Sequence, residues 1–157
     1  MEWLNKSNIM KRAYILLIAV ITCLFLGAQE YTQKWNDFYK RTEFYDSYGR
    51  MIGYAKYNDF YNRMEYYDAT GNLLKTEQYN DFYNRTDVKD SKGNLQSTRS
   101  YNSFYDREEI KDDYGNVIGY KKWNDFYGRY DIYNSKGTCI GYYKYNDFYK
   151  RWEYHEN

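Results

Sequence analysis

Apolar and polar positions alternate along most of the chain in short runs of six to eight residues, and small turn-forming clusters interrupt them at regular intervals. Arg50-Met-Ile-Gly-Tyr-Ala-Lys-Tyr57 is one such run, rich in apolar and aromatic residues. Alternation of this kind predicts half-buried β-strands rather than helices, whose apolar positions would recur every three to four residues. The pattern then repeats with a fixed period. Trp35, Tyr57, Tyr79, Tyr101, Trp123 and Tyr145 each open a segment reading [WY]-N-[DS]-F-Y-x-R, and successive copies lie 22 residues apart. A fixed period is the signature of an array built from one supersecondary unit.

Comparison among the six copies shows which positions the unit holds constant. Asn stands second, Phe fourth, Tyr fifth and Arg seventh in every copy, and the third residue is Asp except at Ser103. The ninth is always acidic (Glu43, Glu65, Asp87, Glu109, Asp131 and Glu153). The tenth is always apolar or aromatic (Phe44, Tyr66, Val88, Ile110, Ile132 and Tyr154). Five turns follow, opening at Asp46, Asp68, Asp90, Asp112 and Asn134 and closing at Gly49, Gly71, Gly93, Gly115 and Gly137. Asp or Asn at the first place of a type I turn accepts a bond from the backbone two residues on. Gly at the fourth supplies the left-handed conformation that closes a hairpin with a bulge. The Asn-Asp pair starts the other turn. Two turn chemistries thus alternate, predicting about twelve strands. The first runs over Glu30 to Lys34 and the last over Glu153 to Asn157.

The expected fold is all-β: tandem 22-residue β-hairpins forming an elongated antiparallel sheet. Tight hairpin turns join antiparallel neighbours directly, and at about 4.8 Å per strand the sheet would be on the order of 50 Å long. A two-sheet β-solenoid is the alternative.

The first 28 residues stand outside this array. Lys11 and Arg12 precede an apolar stretch from Ala13 to Ala28, in the order of a secretory signal peptide. Met10 followed by Lys-Arg would make the more typical start. The stretch is shorter than the roughly 20 residues of a spanning helix. The expectation is therefore a leader over 1–28, cleavage near Ala28, an exported β-repeat domain over 29–157, and no transmembrane span in the mature chain. Cys23 does not fit a lipidation site, because Thr22 precedes it and Leu24-Phe25-Leu26 continues the apolar run. Only Cys139 then remains, which excludes an internal disulfide. It stands where other copies have Met51, Leu73, Leu95 and Val117, and reads as a small buried residue.

Composition narrows the function classes. The chain has 24 Tyr, 8 Phe, 4 Trp and no Pro, which argues against disorder. Its 23 basic and 22 acidic residues balance, leaving no electrostatic footprint for nucleic acid. His155 is the sole histidine, two residues from the end, so no Ser-His-Asp or Cys-His set can be built. The Asp-rich turns lack the alternating ligands and closing Glu of a calcium loop. A non-enzymatic protein with no metal and no cofactor is expected.

Phe38, Phe60, Phe82, Phe104, Phe126 and Phe148 carry no polar group and read as a stacked apolar core, with the following Tyr of each copy towards solvent. The six Arg and the six ninth-position acids read as a ladder of cross-strand ion pairs. The candidate ligand-contact residues are the aromatic columns Trp35, Tyr57, Tyr79, Tyr101, Trp123 and Tyr145, and Tyr39, Tyr61, Tyr83, Tyr105, Tyr127 and Tyr149. From Val88 to Ser100 the third and fourth copies become more polar, a stretch that reads either as drift on a solvated face or as a specific contact site.

The stretch Glu65-Tyr-Tyr-Asp-Ala-Thr-Gly-Asn-Leu-Leu-Lys-Thr-Glu-Gln-Tyr-Asn80 resembles the MORN-variant repeat, a Tyr-Asp/Glu-x-x-Gly-x-Leu turn-strand followed by Tyr and an Asn-containing turn. Its Tyr-Asp-x-x-Gly core is also similar to the YD repeats of large secreted shell proteins. Here Asn-Asp-Phe-Tyr replaces the Asn-Gly turn of the MORN-variant form. The resemblance implies β-hairpin arrays used for contact with proteins or envelopes, including antitoxin-like members, and carries over no catalytic residue. The function expected is a structural or binding scaffold with an unidentified protein or cell-envelope partner. A carbohydrate-binding module using the aromatic ladders for a glycan partner is one alternative, and an antitoxin- or immunity-like repeat protein the other.

Overall fold

The computed structural model describes residues 31–157; the leader, its cleavage site and Cys23 lie outside the described residues. Twelve strands follow one another in chain order. The odd ones are β1 (Tyr31–Asn36), β3 (Met51–Asn58), β5 (Leu73–Asn80), β7 (Leu95–Asn102), β9 (Val117–Asn124) and β11 (Cys139–Asn146). The even ones are β2 (Arg41–Asp46), β4 (Arg63–Asp68), β6 (Arg85–Asp90), β8 (Arg107–Asp112), β10 (Arg129–Asn134) and β12 (Arg151–Glu156). Each pairs antiparallel with its neighbours in sequence, as the alternating turns predict. The sheet does not stay open, however, and it is not a solenoid. β1 pairs antiparallel with β12 through Thr32 and Glu153, closing a twelve-stranded barrel.

Closure has a local cause. In each hairpin closed by a glycine turn the register slips by one residue, between Phe44 and Tyr45, Tyr66 and Tyr67, Val88 and Lys89, Ile110 and Lys111, and Ile132 and Tyr133. A bulge strengthens twist and bends its strand. Five bulges at the same place in five repeats curl the sheet consistently one way, and closure removes both unpaired edges.

The glycine turns form as read. Asp46 Oδ1 accepts from the backbone N–H of Tyr48 at 3.0 Å and of Arg50 at 2.9 Å. Gly49, Gly71, Gly93, Gly115 and Gly137 all have φ between 77° and 93°. The other turn differs slightly from expectation. The strand runs on through the Asn, as in the pair Asn36–Arg41, and the four residues Asp-Phe-Tyr-x make the turn. Asn36 Oδ1 accepts from the N–H groups of Phe38 and Tyr39 at 3.1 and 3.0 Å, so the Asn side chain braces the turn it precedes. The last turn residue is left-handed (Lys40, Asn62, Asn84, Asp106, Gly128 and Lys150). Asn, Asp and Gly, the types that tolerate this conformation best, fill four of the six places.

The barrel interior is filled. Tyr31, Phe44, Ala55, Met64, Tyr66, Ile110, Ile132, Tyr143 and Tyr154 form one buried cluster drawn from eight of the twelve strands. The tenth repeat position supplies most of it. The invariant Phe of the fourth position does not: Phe38, Phe60, Phe82, Phe104, Phe126 and Phe148 are 84–87% exposed. This corrects the expectation of a Phe core, and the reason is the turn. A residue at the tip of a four-residue loop lies beyond the last strand pair and has no sheet to pack on. Cys139 is half-buried rather than buried, on the outer side of β11, opposite Tyr133.

Candidate binding face

The six turns, Asp-Phe-Tyr-x in five copies and Ser-Phe-Tyr-Asp in the fourth, connect β1 to β2, β3 to β4 and so on, so all six lie at one end of the barrel. The five glycine turns lie at the other. Closure therefore gathers the twelve aromatic candidates, with the six Phe, into a single crown.

Two concentric sets make it up. Side chains two apart on a strand share a face. Trp35 accordingly shares the inward face of β1 with the buried Gln33 and Tyr31, and its equivalents Tyr57, Tyr79, Tyr101, Trp123 and Tyr145 line the inner rim. Their polar tips are held locally. Trp35 and Trp123 donate Nε1–H to Asp37 and Asp125 at 2.9 and 2.8 Å. Tyr57, Tyr79 and Tyr101 instead donate their hydroxyls to Asn62, Asn84 and Asp106. Trp thus uses the acidic third residue and Tyr the polar sixth, which accounts for Asn or Asp following three of the four Tyr-opened turns. The ring faces remain accessible: Trp35, Tyr79, Tyr101, Trp123 and Tyr145 are 37–64% exposed, and Tyr57 is half-buried.

The outer set is a short stack in each repeat. Phe38 meets Tyr39 edge-on, with ring centroids 4.9 Å apart, and the other five turns repeat the contact at 4.8–4.9 Å. Behind each Tyr lies the repeat's Arg, with its guanidinium carbon 4.5–4.7 Å from the ring centroid. Tyr39 and its equivalents are consequently only half-open, with Arg covering one face.

That Arg belongs to the outer wall, on the strand face opposite Phe44. Arg41 meets Glu43 at 2.7 Å within its own strand, and Arg63, Arg85, Arg107, Arg129 and Arg151 meet Glu65, Asp87, Glu109, Asp131 and Glu153 at 2.7–2.8 Å. The expected cross-strand ladder is therefore a set of intrastrand pairs, because residues two apart on one face already place the guanidinium over the carboxylate. The acid also accepts from the Asn that braces the turn, as in Asn36 Nδ2 to Glu43 at 3.0 Å. A bond from the Tyr45 hydroxyl, helped by Arg41 and Asn36 against the cost of burial, holds Glu43 below its ordinary pKa. In Glu65 burial opposes ionisation, and Tyr67, Arg63 and Asn58 together overcome it. Asn, Phe, Tyr, Arg and acid are thus one connected device, repeated six times.

The polar stretch of the third and fourth copies is solvated only in part: Gln96 is exposed, whereas Ser97, Thr98 and Arg99 are buried. Arg99 is buried within the barrel and meets Glu77 at 2.7 Å, with both side chains fully enclosed. Lys75 Nζ lies 2.9 Å from the other oxygen of Glu77, and the Tyr66 hydroxyl donates to Glu77 at 2.8 Å. Lys121 and Glu108 pair nearby at 2.9 Å. Burial opposes the charge on Glu77, but Arg99 and Lys75 outweigh it and bring the pKa down to about 2. Sequence reasoning missed this cluster. Its signal was available: Ala55, Glu77, Arg99 and Lys121 are 22 residues apart at one inward position, so opposite charges there face a common interior.

No family model matches the chain, and no curated protein matches it. Among solved structures, the chain is similar to the Arabidopsis thaliana protein AT5G01750, known from an X-ray structure. The TM-score is 0.61 and the identity 9%, over 81% of this chain and 79% of that one. Similarity at that identity is one of fold.

Proposed function

We propose that this chain is a non-enzymatic binding scaffold whose contact surface is the aromatic crown at one end of the barrel. A single observation carries the reading: six Phe side chains, each 84–87% exposed, lie at the same end. Large exposed apolar groups disfavour solubility, and a concentration of them on one face marks an interaction site. Among the described residues the other exposed large apolar side chains, Tyr48, Ile52, Leu74 and Tyr114, are fewer and lie outside the crown. The wall bears paired charges where a membrane-spanning barrel carries an apolar band. The bonds bracing each turn hold the Phe in place before any partner arrives, which lowers the ordering cost of association. The MORN-variant resemblance implies the same use of hairpin repeats, as contact surfaces for proteins or envelopes. The leader expected over residues 1–28 would export the domain, which fits an envelope partner and disfavours an antitoxin-like role inside the cell.

The second reading, glycan binding, draws on the half-open Trp35 and Trp123 rings of the inner rim. The test compares the full chain with its F60S/F82S/F104S and W35A/W123A variants on isolated cell envelopes and on a glycan array. Loss of envelope binding in the Phe variant alone, at unchanged melting temperature, is the expected result. Glycan binding that depends on the two Trp and ignores the Phe would replace this reading with the second.

A further inference from the structure

Within the turns of the crown acidic residues outnumber basic ones, while the exposed Lys34, Lys56, Lys122 and Lys144 are set back on the wall, two residues before the Asn that braces each turn. The six turns contain Asp37, Asp59, Asp81, Asp106, Asp125 and Asp147 against Lys40 and Lys150, a net charge of −4. Each Arg that follows a turn is already committed to its ninth-position acid. Lys40 and Lys150 lie 4.0 and 3.9 Å from Asp37 and Asp147 of their own turns. These two lysines belong to the first and last repeats, which are neighbours across the β1–β12 seam. The excess negative charge therefore falls on the four middle turns, beside Phe60, Phe82, Phe104 and Phe126.

Resting on the crown as the contact face, we infer that its partner is a cationic polypeptide surface, one that sets aliphatic or Lys/Arg side chains against the Phe rings and their charges against the turn aspartates. Exposed aromatic faces accept alkyl stems and cations alike, and the carboxylates of Asp59, Asp81 and Asp125, each one residue from a Phe, with Asp106 two residues from Phe104, fix the sign of the partner. The same carboxylates count against the other occupants. A bilayer would have to take up Asp59, Asp81 and Asp125 beside the Phe, which offsets the transfer of each ring. An anionic lipid surface would repel them. A second copy docked crown to crown would oppose −4 with −4. Complementary charge also speeds encounter and makes binding salt-sensitive.

The test measures binding of the full chain to three probes: a Lys/Leu copolymer peptide, a Glu/Leu copolymer of equal length, and phosphatidylcholine vesicles. The variants are F60S/F82S/F104S, D59K/D81K, which brings the crown to neutrality, and D113N at the opposite end as control. The expected result is binding of the Lys/Leu peptide that weakens with salt. Its affinity should fall at least tenfold in both crown variants and stay unchanged in D113N. Preference for the Glu/Leu peptide, equal binding by D59K/D81K, or no binding of the Lys/Leu peptide overturns the inference. If vesicles bind in a Phe-dependent way while the Lys/Leu peptide does not, the crown remains the contact face and only the cationic partner fails. Lys/Leu binding that F60S/F82S/F104S leaves intact overturns the inference as well, since plain electrostatics would suffice. If that variant also keeps envelope binding, the crown reading falls with it.

Discussion

The crown and the interior of this barrel obey opposite rules. In the crown turns and the Arg–acid pairs beneath them the six repeats are nearly identical: Asn, Phe, Tyr and Arg recur without exception, and the acid changes only between Glu and Asp. Inside, the same structural position changes from copy to copy. Gln33, Ala55, Glu77, Arg99, Lys121 and Tyr143 are equivalent in the repeat, as are Thr42, Met64, Thr86, Glu108, Tyr130 and Trp152. The difference is geometric. The outside of a closed barrel offers each repeat the same surroundings, so one solution serves six times. The inside is a single shared volume, and six copies of one large side chain cannot fill it at the density of a protein core. The invariant positions therefore lie at the surface here and none of them in the core, although the wall also varies, as at Tyr45, Lys89 and His155.

Breaking the interior should have the largest effect. Arg99→Ala leaves buried Glu77 with only Lys75 and the Tyr66 hydroxyl and removes a large side chain. A cost of about 3–5 kcal/mol in denaturant unfolding is expected, as for other broken buried pairs. The triple variant K75M/E77M/R99M removes the three mutually paired charges together, and it should recover most of that loss. A single variant costing less than about 1 kcal/mol would mean that the interior charges are not enclosed.

The same cluster predicts an acid sensitivity. Glu77 has a pKa of about 2 in the folded chain against an ordinary 4.5. A depressed carboxylate stabilises the fold above the unfolded pKa and loses that contribution as pH falls through the folded one. The window runs from about pH 5 to pH 2, and the contribution is on the order of 3 kcal/mol. Wall acids such as Glu43 and Glu109 are also depressed, so the share of Glu77 is read as the difference between wild type and Glu77→Gln. Identical pH profiles for the two would refute it.

On the apolar side of the interior, Ile132→Val removes one methylene from a fully buried side chain. It should cost about 0.5–1.5 kcal/mol by thermal unfolding. This is well below Arg99→Ala, because a small void is cheaper than an unpaired charge.

Strand number, both turn types, the left-handed glycines and the bulged hairpins were legible in the sequence, because each depends on residues within one repeat. Closure was not. It depends on the sum of twist over twelve strands and on the β1–β12 seam, whose partners lie more than a hundred residues apart. The face of the Phe was misread for a related reason. Phe82 has a core-like composition, but Asn80 caps the turn and moves Phe82 off the strand, so the alternation rule no longer governs it. The twelve aromatic contact candidates were named individually, while their assembly into one crown emerges only with closure.

The smallest stability effects belong to the crown. Phe82 is 87% exposed and meets mainly its neighbour Tyr83. Phe82→Ala should therefore shift unfolding free energy by no more than about 0.5 kcal/mol, as surface changes do. Tyr83 supports Phe82 on one side and lies 4.6 Å from the Arg85 guanidinium on the other. Its removal should cost slightly more, about 0.5–1 kcal/mol from the lost cation–π contact. The order is the reverse of that expected for a Phe core, and chemical denaturation of the two variants measures it directly. Phe82→Ala costing 3–5 kcal/mol, the range for a large core residue, would place the invariant ring inside the fold. The contrast between a uniform crown and a varied interior would then fail at its most informative position.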